Sequence, residues 1–265
     1  MMGEQVILKS QSDMAMLRKA GALAADVLRM IGEHVRPGVT TNQLDRICHD
    51  YIVDVLGAVA INIGYNGYPK TVCTSVNHVI CHGIPSDKPL KNGDIVNIDV
   101  ALTKDGWHGD TSRMYFVGQP SILAKRLVDT TYEAMRAGIL AVKPGATLGD
   151  IGHAIQSVAH KEGFSVVQEY CGHGIGQIYH EDLQVLHYGQ PGEGLTLQTG
   201  MVFTIEPMIN AGKRHSKELP DGWTVVTKDH SLSAQWEHMV AVTETGFEVL
   251  TLWPDGFGAY SPLTA

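Results

Sequence analysis

Two short segments of nearly identical sequence constrain the fold of this chain more than any other feature. Residues 35–40 read VRPGVT and residues 142–147 read VKPGAT. Before each segment, over residues 14–31 and 123–139, apolar residues recur at the spacing of one helix face. A short turn can recur by chance, since Pro-Gly turns are common. The matching flanks nevertheless favour an internal duplication.

Each copy combines a helix end with a helix start. The Pro-Gly pair is predicted to end one helix, and Thr40 or Thr147 is placed to cap the next one, with a capping-box partner three residues later. Both copies then continue into predicted strands, which indicates an α+β fold with two related halves. We expect a single domain over residues 1–265, with halves at about 10–118 and about 119–252.

A β-hairpin is predicted in the first half, with strands at 94–103 and 107–117 joined by a KDG turn. With a two-residue Asp-Gly loop, Asp110 lies opposite Ala101 and shares a face with Asp99. A three-residue loop would place the two aspartates on opposite faces. Neighbouring carboxylates repel, and a pair of cations would offset that repulsion. Two solvated aspartates on an exposed strand face are an equal alternative.

Further candidate ligands follow in the second half, which also contains a predicted strand at 165–170. Glu206 ends the predicted strand 201–206, and Glu237 begins the strand 237–244. A carboxylate at the end of an apolar strand is costly unless it has a ligand or partner. With His173, the set contains four carboxylates and one imidazole. Such a set suits Mn(II), Fe(II) or Co(II) better than Zn(II).

His173 lies in a glycine-rich segment, CGHGIG at 171–176. The segment lacks the GxGxxG spacing, and no GK[ST] sequence follows it, so a phosphate-binding loop is disfavoured. We expect the glycines to let the backbone bend tightly, so that the imidazole enters a crowded metal site.

The composition excludes several other classes of protein. A formal charge of −8 argues against a broad nucleic-acid or anionic-membrane surface. No run of eighteen apolar residues occurs, and the N-terminus lacks a secretory signal pattern, so the expected location is the cytoplasm. The four cysteines form no CxxC pair and are expected to remain reduced.

Five separated motifs carry a resemblance to a known family. They are GYNGYPKTVCTSVNHVICHGIP at 64–85, HGD at 108–110, CGHGIG at 171–176, TIEPM at 204–208 and AQWEH at 234–238. In this order they resemble type I methionyl aminopeptidases of the bacterial short form, over nearly the whole chain. The resemblance implies the "pita-bread" fold, with two pseudo-symmetric α/β halves around a dinuclear metal site.

The resemblance also assigns roles to individual residues. It implies two divalent ions, Mn, Fe or Co with Zn as a further candidate, held by Asp99, Asp110, His173, Glu206 and Glu237. Asp110 and Glu237 would bridge the ions, and a water between them would become the nucleophile. His82 would contact the scissile amide nitrogen, His180 would polarise the carbonyl, and Glu206 would carry a proton to the leaving amine. The implied reaction removes the N-terminal methionine from peptides and nascent proteins with a small second residue.

The methionine pocket is implied in the same way. Its lining would be Asn62, Tyr65, Tyr68, Cys73, His82, Tyr179, His180 and Trp223. Several positions depart from the family pattern, namely Asn62, Gln177, Tyr179 and the Asp182-Leu183 pair. None of them is an implied metal ligand, so these departures predict altered substrate preference or rate with hydrolysis retained.

Two alternatives stay open at this point. An X-Pro aminopeptidase or prolidase-like enzyme shares the implied fold, but such enzymes carry an additional N-terminal domain that this chain has no room for. A non-catalytic binding protein on the same fold would be expected to lose ligands, whereas all five positions are filled. The expected partners are peptides and nascent chains that begin with methionine, with the ribosome as a candidate partner and a monomer as the expected state.

Overall fold

The computed structural model describes residues 6–253. Within that range the helices are α1 (Gln11–Gly32), α2 (Thr41–Asp50), α3 (Ile122–Leu140) and α4 (Leu148–Lys161), with a π-helical turn at Tyr51–Val55 and a 3-10 turn at Tyr65–Gly67. The strands are β1 (Val59–Ala60), β2 (Cys73–Val76), β3 (Val79–Cys81), β4 (Ile95–Lys104), β5 (Trp107–Phe116), β6 (Ser165–Val166), β7 (Gly172–Gly174), β8 (Glu181–Val185), β9 (Val202–Ile205), β10 (Met208–Asn210), β11 (Ser216–Glu218), β12 (Val225–Thr227), β13 (Ser233–Gln235), β14 (His238–Val242) and β15 (Phe247–Val249).

The two repeated turns make equivalent hydrogen bonds. The amide of Gly38 donates to the carbonyl of Leu90 at 2.8 Å, and the amide of Gly145 donates to that of Leu197 at 3.0 Å. Thr40 and Thr147 both cap the following helix through a complete capping box, as predicted. The duplicated sequence therefore corresponds to a duplicated local structure.

The predicted role of the Pro-Gly pairs in ending the helices is wrong. α1 ends at Gly32 and α3 at Leu140, several residues before the Pro-Gly pair in each copy. In each case the helix is followed by a tighter turn, in which amides bond to the carbonyl three residues back. Gly38 and Gly145, with φ of 90° and 84°, make the second turn, from which the capping threonine is presented.

The predicted hairpin is present as β4 and β5. Asp105 and Gly106 form the loop with φ of 52° and 81°, which matches the positive angles of a two-residue type I′ turn. Asp110 is paired with Ala101, so Asp110 and Asp99 lie on the same face. β4 also pairs with β1 and β2, which completes a four-stranded sheet.

The second half contains a five-stranded sheet in the order β15-β14-β9-β7-β8 and a three-stranded sheet in the order β13-β10-β6. A further three-stranded sheet, β11-β12-β3, joins a strand of the first half to two strands of the second. The strand predicted at 165–170 is shorter than expected, Ser165–Val166, because its partner β10 begins only at Met208, whose carbonyl accepts from the amide of Val167.

Each half has its own apolar core. In the first half, α1 and α2 pack on the hairpin through residues such as Leu28, Leu44 and Ile98. In the second, α3 and α4 pack on the sheets through residues such as Leu127 and Phe203. The four cysteines are free thiols. Over residues 6–253, no helix combines the length and the apolar character that crossing a membrane would require.

Candidate metal centre and substrate pocket

The five side chains predicted as metal ligands come together where the two halves meet. Asp99 lies on β4, Asp110 on β5, His173 in β7, Glu206 directly after β9 and Glu237 directly before β14. Ligand atoms of Asp110, His173 and Glu237 all lie within 4.8 Å of one another. His173 Nε2 is 3.3 Å from Asp110 Oδ2 and 3.7 Å from Glu206 Oε1.

Hydrogen bonds across the boundary fix the second-half ligands against the hairpin. The hydroxyl of Thr111 donates to the carbonyl of Glu237 at 2.7 Å. The amide of Glu237 donates to the carbonyl of Ser112 at 3.1 Å. Because both bonds involve the residues next to Asp110 on β5, Asp110 and Glu237 are held side by side.

Neighbouring groups also orient the imidazole of His173. Its Nδ1 lies 3.0 Å from the carbonyl of Gly174, so Nδ1 carries the proton and donates it there. Nε2 therefore faces the carboxylates, as in metal-binding histidines whose second nitrogen donates to a carbonyl. Thr204 links this residue to Glu206, because its hydroxyl accepts from the His173 amide at 3.0 Å and donates to Glu206 Oε1 at 2.7 Å.

The carboxylates destabilise one another in the absence of a cation. Burial, followed by the charges of neighbouring carboxylates, raises the pKa of Asp99 and of Glu237 well above their usual values. Burial likewise raises the pKa of Glu206 to about 7, although the adjacent His173 opposes the rise. For His173, burial lowers the pKa, but Asp110 and Glu206 outweigh that effect and the pKa is raised.

These residues fit a site for divalent cations. Over residues 6–253, no lysine or arginine forms an ion pair with any of the four carboxylates. Asp99 Oδ1 is buried and has no hydrogen-bond partner. Oxygen donors with one imidazole nitrogen are the donor set that Mn(II), Fe(II) and Co(II) accept. A bound cation would satisfy the orphaned oxygen and remove the repulsion.

The glycines next to the predicted ligands allow close packing, and the segment also bends, because the β7–β8 register shifts between His173 and Gly174 and a bend begins at Gly176. Gly172 and Gly174 lie in β7, and neither they nor Gly176 has a positive φ. A Cβ on Gly172 would lie 2.2 Å from the carbonyl oxygen of Thr204 on the neighbouring strand. A Cβ on Gly109, the residue before Asp110, would lie 2.3 Å from the carbonyl oxygen of Ala20 in α1. Only glycine permits these two approaches.

A cavity of about 490 Å³ opens onto the five residues. Every side chain predicted for the methionine pocket lines it: Asn62, Tyr65, Tyr68, Cys73, His82, Tyr179, His180 and Trp223. The rings of Tyr68 and Trp223 meet edge to face with centroids 5.0 Å apart, and those of Tyr65 and Tyr179 with centroids 5.1 Å apart. The cavity is therefore aromatic on one side and ionic on the other.

Two histidines stand between these two sides. The hydroxyl of Tyr65 is 2.6 Å from His180 Nδ1. Partial burial of the ring, together with the neighbouring imidazole of His173, lowers the pKa of His180 to about 4. Burial also lowers the pKa of His82, whose backbone has a φ of 55°. Both imidazoles are therefore neutral at physiological pH.

Two of the departures from the family pattern contact each other. The hydroxyl of Tyr179 donates to Asn62 Oδ1 at 3.3 Å, and Asn62 Nδ2 donates to the carbonyl of Thr71 at 3.1 Å. The polar groups that these two residues bring into the pocket wall are thereby paired with protein atoms.

The cavity also contains residues that the sequence analysis did not single out. These lining residues are Cys81, Glu169, Tyr170, Cys171, Glu181, Gln184, Met208 and Gln235. Gln235 contacts the metal centre, because its Nε2 lies 3.3 Å from Glu206 Oε2. Gln235 ends β13, two residues before Glu237, and both side chains line the cavity.

Comparison with known proteins identifies relatives along most of the chain. The sequence profile of metallopeptidase family M24 matches residues 15–244. Methionine aminopeptidase from Salmonella typhimurium is 57% identical over 251 residues, which are 94% of this chain and 95% of that protein. Methionine aminopeptidase from Rickettsia prowazekii is 56% identical over 248 residues, 93% of this chain and 95% of that protein.

Solved structures give the same result. The crystal structure of the Rickettsia prowazekii methionine aminopeptidase has a TM-score of 0.92 at 55% identity, covering 94% of this chain and all of that one. The prolidase from Pyrococcus horikoshii shares the fold, with a TM-score of 0.73 at 23% identity, and this chain covers 63% of its length. The predicted pita-bread fold is confirmed.

Proposed function

This chain belongs to metallopeptidase family M24, and from that membership we propose that it is a metal-dependent methionine aminopeptidase. It hydrolyses the first peptide bond of peptides and nascent proteins that begin with methionine followed by a small residue. The observation that carries the proposal is the meeting of the ligand cluster and the aromatic pocket in one cavity. Relatives of that name at 56–57% identity support it.

The metal centre holds two divalent ions in this proposal. Asp110 and Glu237 would be shared by the two ions, His173 and Glu206 would complete one set of ligands, and Asp99 would complete the other. The clustering of Asp110, His173 and Glu237 and the unpartnered oxygen of Asp99 support this assignment. The ions are Mn(II), Fe(II) or Co(II), with Zn(II) as a further candidate. When bound, two such ions supply a water of lowered pKa and positive charge for the developing oxyanion.

His180 and His82 orient the substrate's first peptide bond. When the Tyr65 hydroxyl donates to His180 Nδ1, the ring proton lies on Nε2, which donates to the substrate carbonyl oxygen. A neutral donor of this kind costs little to bury and strengthens its bond as negative charge develops. His82 contacts the amide nitrogen of the same bond from the aromatic side, where its ring lies beside Trp223.

Glu206 moves the proton in this proposal. The Thr204 hydroxyl donates to its Oε1, Gln235 Nε2 lies 3.3 Å from its Oε2, and the residue lines the cavity. A carboxylate held in this way takes a proton from the nucleophilic water and returns it to the leaving amine. The substrate's free amino terminus meets the acidic side of the cavity, which limits cleavage to a single residue.

The aromatic side of the cavity binds the methionine side chain. A thioether packs favourably against aromatic rings, which Tyr65, Tyr68, Tyr179 and Trp223 supply, with Cys73 beside them. Asn62 acts through Tyr179, because their hydrogen bond fixes the phenol at the wall of the pocket. We therefore propose that the Asn62–Tyr179 pair adjusts the pocket's substrate preference while hydrolysis is retained.

The cellular setting is part of the same proposal. Free thiols fit a reducing compartment, which supports the cytoplasm, where nascent chains are the substrates. A monomer and a possible encounter with the ribosome complete the proposed setting. The division of a single catalytic domain into halves at about residue 118 also stays a prediction, supported by the equivalent turns at Gly38 and Gly145.

A peptide assay tests the function. The protein is treated with a chelator, reloaded with Mn(II) or Co(II), and incubated with peptides beginning Met-Ala, Met-Gly or Ala-Pro. We expect free methionine from the first two, as measured by mass spectrometry. The same peptides with an acetylated N-terminus should stay intact, and an Asp110→Asn variant provides the metal-site control.

The outcomes separate the three candidate functions. Cleavage of Ala-Pro alone would identify an X-Pro peptidase and refute the proposal. Binding of the metal without cleavage of any peptide would favour a non-catalytic binding protein. The prolidase match favours neither alternative, because at 23% identity it reflects the fold alone.

A further inference from the structure

A buried ion pair joins the N-terminal segment to the loop that carries His180. Lys9 lies just before α1, and Glu181 directly follows His180 as the first residue of β8. Lys9 Nζ is 2.5 Å from Glu181 Oε1, and the two side chains are 2% and 5% exposed. The two residues are 172 positions apart in the chain.

Because this ion pair is buried, it matters more to the local structure than an exposed pair would. Exposed ion pairs contribute little, because water screens them. A buried pair is different, since removing one partner leaves an uncompensated charge away from water. Lys9 is also fixed through its backbone, because its amide donates to the carbonyl of Gly200 at 2.8 Å. Glu181 is therefore held against a rigid part of the molecule.

The loop between β7 and β8 is folded over this pair. A Cβ on Gly176 would lie 2.5 Å from Glu181 Oε1 and 2.8 Å from Lys9 Cε. The carbonyl of Gly176 accepts from the backbone amide of His108 at 3.0 Å and lies 2.9 Å from its Nδ1. The His108 ring in turn stacks on Tyr179, with centroids 5.6 Å apart.

The loop is otherwise held by its aromatic side chains, since the Tyr65 hydroxyl lies 2.6 Å from His180 Nδ1 and Tyr179 bonds Asn62. Gln177, Ile178 and His180 are exposed, and regular structure resumes only at Glu181. Glu181 also pairs with Gly174 across the ladder, directly beyond His173. A displacement of the Glu181 carboxylate would therefore be transmitted to the imidazole of His180, its neighbour in the chain.

We infer that Lys9 and Glu181 are positioning residues, which hold His180 where its Nε2 meets the substrate carbonyl. The inference rests on the proposed function, because it takes His180 to act on that carbonyl. A displacement of a catalytic group by about 1 Å can lower the rate about 100-fold. Neither Lys9 nor Glu181 is among the five assigned ligands, and although Glu181 lines the cavity, its carboxylate is engaged by Lys9, so the effect of the pair passes through the loop.

The test compares variants of this pair with a matched exposed pair. Lys9→Met removes the cation, and Glu181→Gln is an isosteric replacement of the anion. The control is Arg18→Met, which breaks the Arg18–Glu248 ion pair of 2.6 Å, also between the N-terminal region and a strand of the second half. Metal-loaded proteins are assayed with a Met-Ala peptide well below their melting temperatures.

We expect kcat to fall about tenfold or more in Lys9→Met and Glu181→Gln, with KM changed less, and to stay within about twofold in Arg18→Met. A second set in the His180→Ala background separates positioning from general destabilisation. If the pair acts through His180, then Lys9→Met has no further effect on kcat there. Hydrogen exchange of residues 175–181 should rise in the variants of the pair and stay unchanged in Arg18→Met.

Several results would overturn the inference. One is a kcat for both Lys9→Met and Glu181→Gln that matches the Arg18→Met control. Another is an equal fall in kcat with and without His180. If Lys9→Met does not fold, Glu181→Gln alone decides through the same comparison. If the wild-type protein releases no methionine, the proposed function fails. In that case, hydrogen exchange over residues 175–181 that is unchanged in Lys9→Met and Glu181→Gln would separately refute the positioning role.

Discussion

Gly109 offers a sharp test of how the metal centre is held, because the residue after it is Asp110. In Gly109→Ala, the new Cβ would lie 2.3 Å from the carbonyl oxygen of Ala20, and contacts under 3.0 Å do not occur in real structures. β5 must therefore move away from α1 by about 0.7 Å or more. Metal ligands tolerate displacements of only about 0.2 Å.

The expected effects are two. Overpacking of this kind costs about 1–3 kcal/mol, or about 2–12 °C in melting temperature for a chain of this size. In addition, the displaced Asp110 should weaken Mn(II) binding about tenfold or more, as loss of a supporting group around a metal site does. Calorimetric titration of chelator-treated protein with Mn(II) measures the second effect, and a thermal melt measures the first.

Gly21→Ala is the matched control. Its Cβ would lie 2.5 Å from the carbonyl oxygen of Leu250, on the side of α1 that faces β15 and not on β5, which carries Asp110. We expect a similar loss of melting temperature in this variant and Mn(II) affinity close to that of the wild type. Equal Mn(II) affinity in the two variants would refute the argument that Gly109 sets the position of Asp110.

Three further predictions concern the same cavity. Tyr65→Phe removes the hydroxyl from His180 Nδ1 and should lower kcat about tenfold, equivalent to about 1.4 kcal/mol, with little change in KM for a Met-Ala peptide; an unchanged kcat would contradict it. Glu237→Gln removes a buried carboxylate whose pKa is raised in the metal-free protein. The stability that such a group contributes is present below about pH 4.5 and is lost as pH rises. The metal-free variant should therefore melt at a higher temperature than the metal-free wild type, with a larger difference at about pH 8 than at about pH 5, and it should bind Mn(II) more weakly. A lower melting temperature of the variant at about pH 8 would count against this. Chelation of the wild type should lower its melting temperature. Because the pKa of Glu206 is raised to about 7, the difference in melting temperature between metal-loaded and metal-free protein should widen as pH rises through that value. A difference independent of pH would exclude the repulsion between the carboxylates.

The parts of the site that follow from local pattern were predictable from the sequence. The KDG turn fixes the parity of the hairpin, and parity alone places Asp99 and Asp110 on one face. The capping threonines likewise depend on residues three positions away. His173, Glu206 and Glu237 were found one at a time, and their convergence on the aspartates followed only from the family resemblance.

What was missed or wrong depends on contacts distant in sequence. The tight packing of Gly172 is set by the carbonyl of Thr204 on another strand. The local sequence does not show this contact, so the glycine indicated only a bend. The Lys9–Glu181 pair joins residues 172 positions apart in the chain, and no periodicity indicates it. The helix ends were misplaced because a turn with bonds to the third residue back intervenes before each Pro-Gly pair.

The order of the proposed ligands along the chain has a consequence for biosynthesis. Two of them come from the first half and three from the second, and Glu237 is the last. A polypeptide that is still being translated therefore lacks the last proposed ligand until this residue has been added and has docked against Ser112. We expect hydrolytic activity to appear only after Glu237 has been added and has docked. Truncated chains that end before this residue should therefore be inactive and should not remove methionine from other proteins.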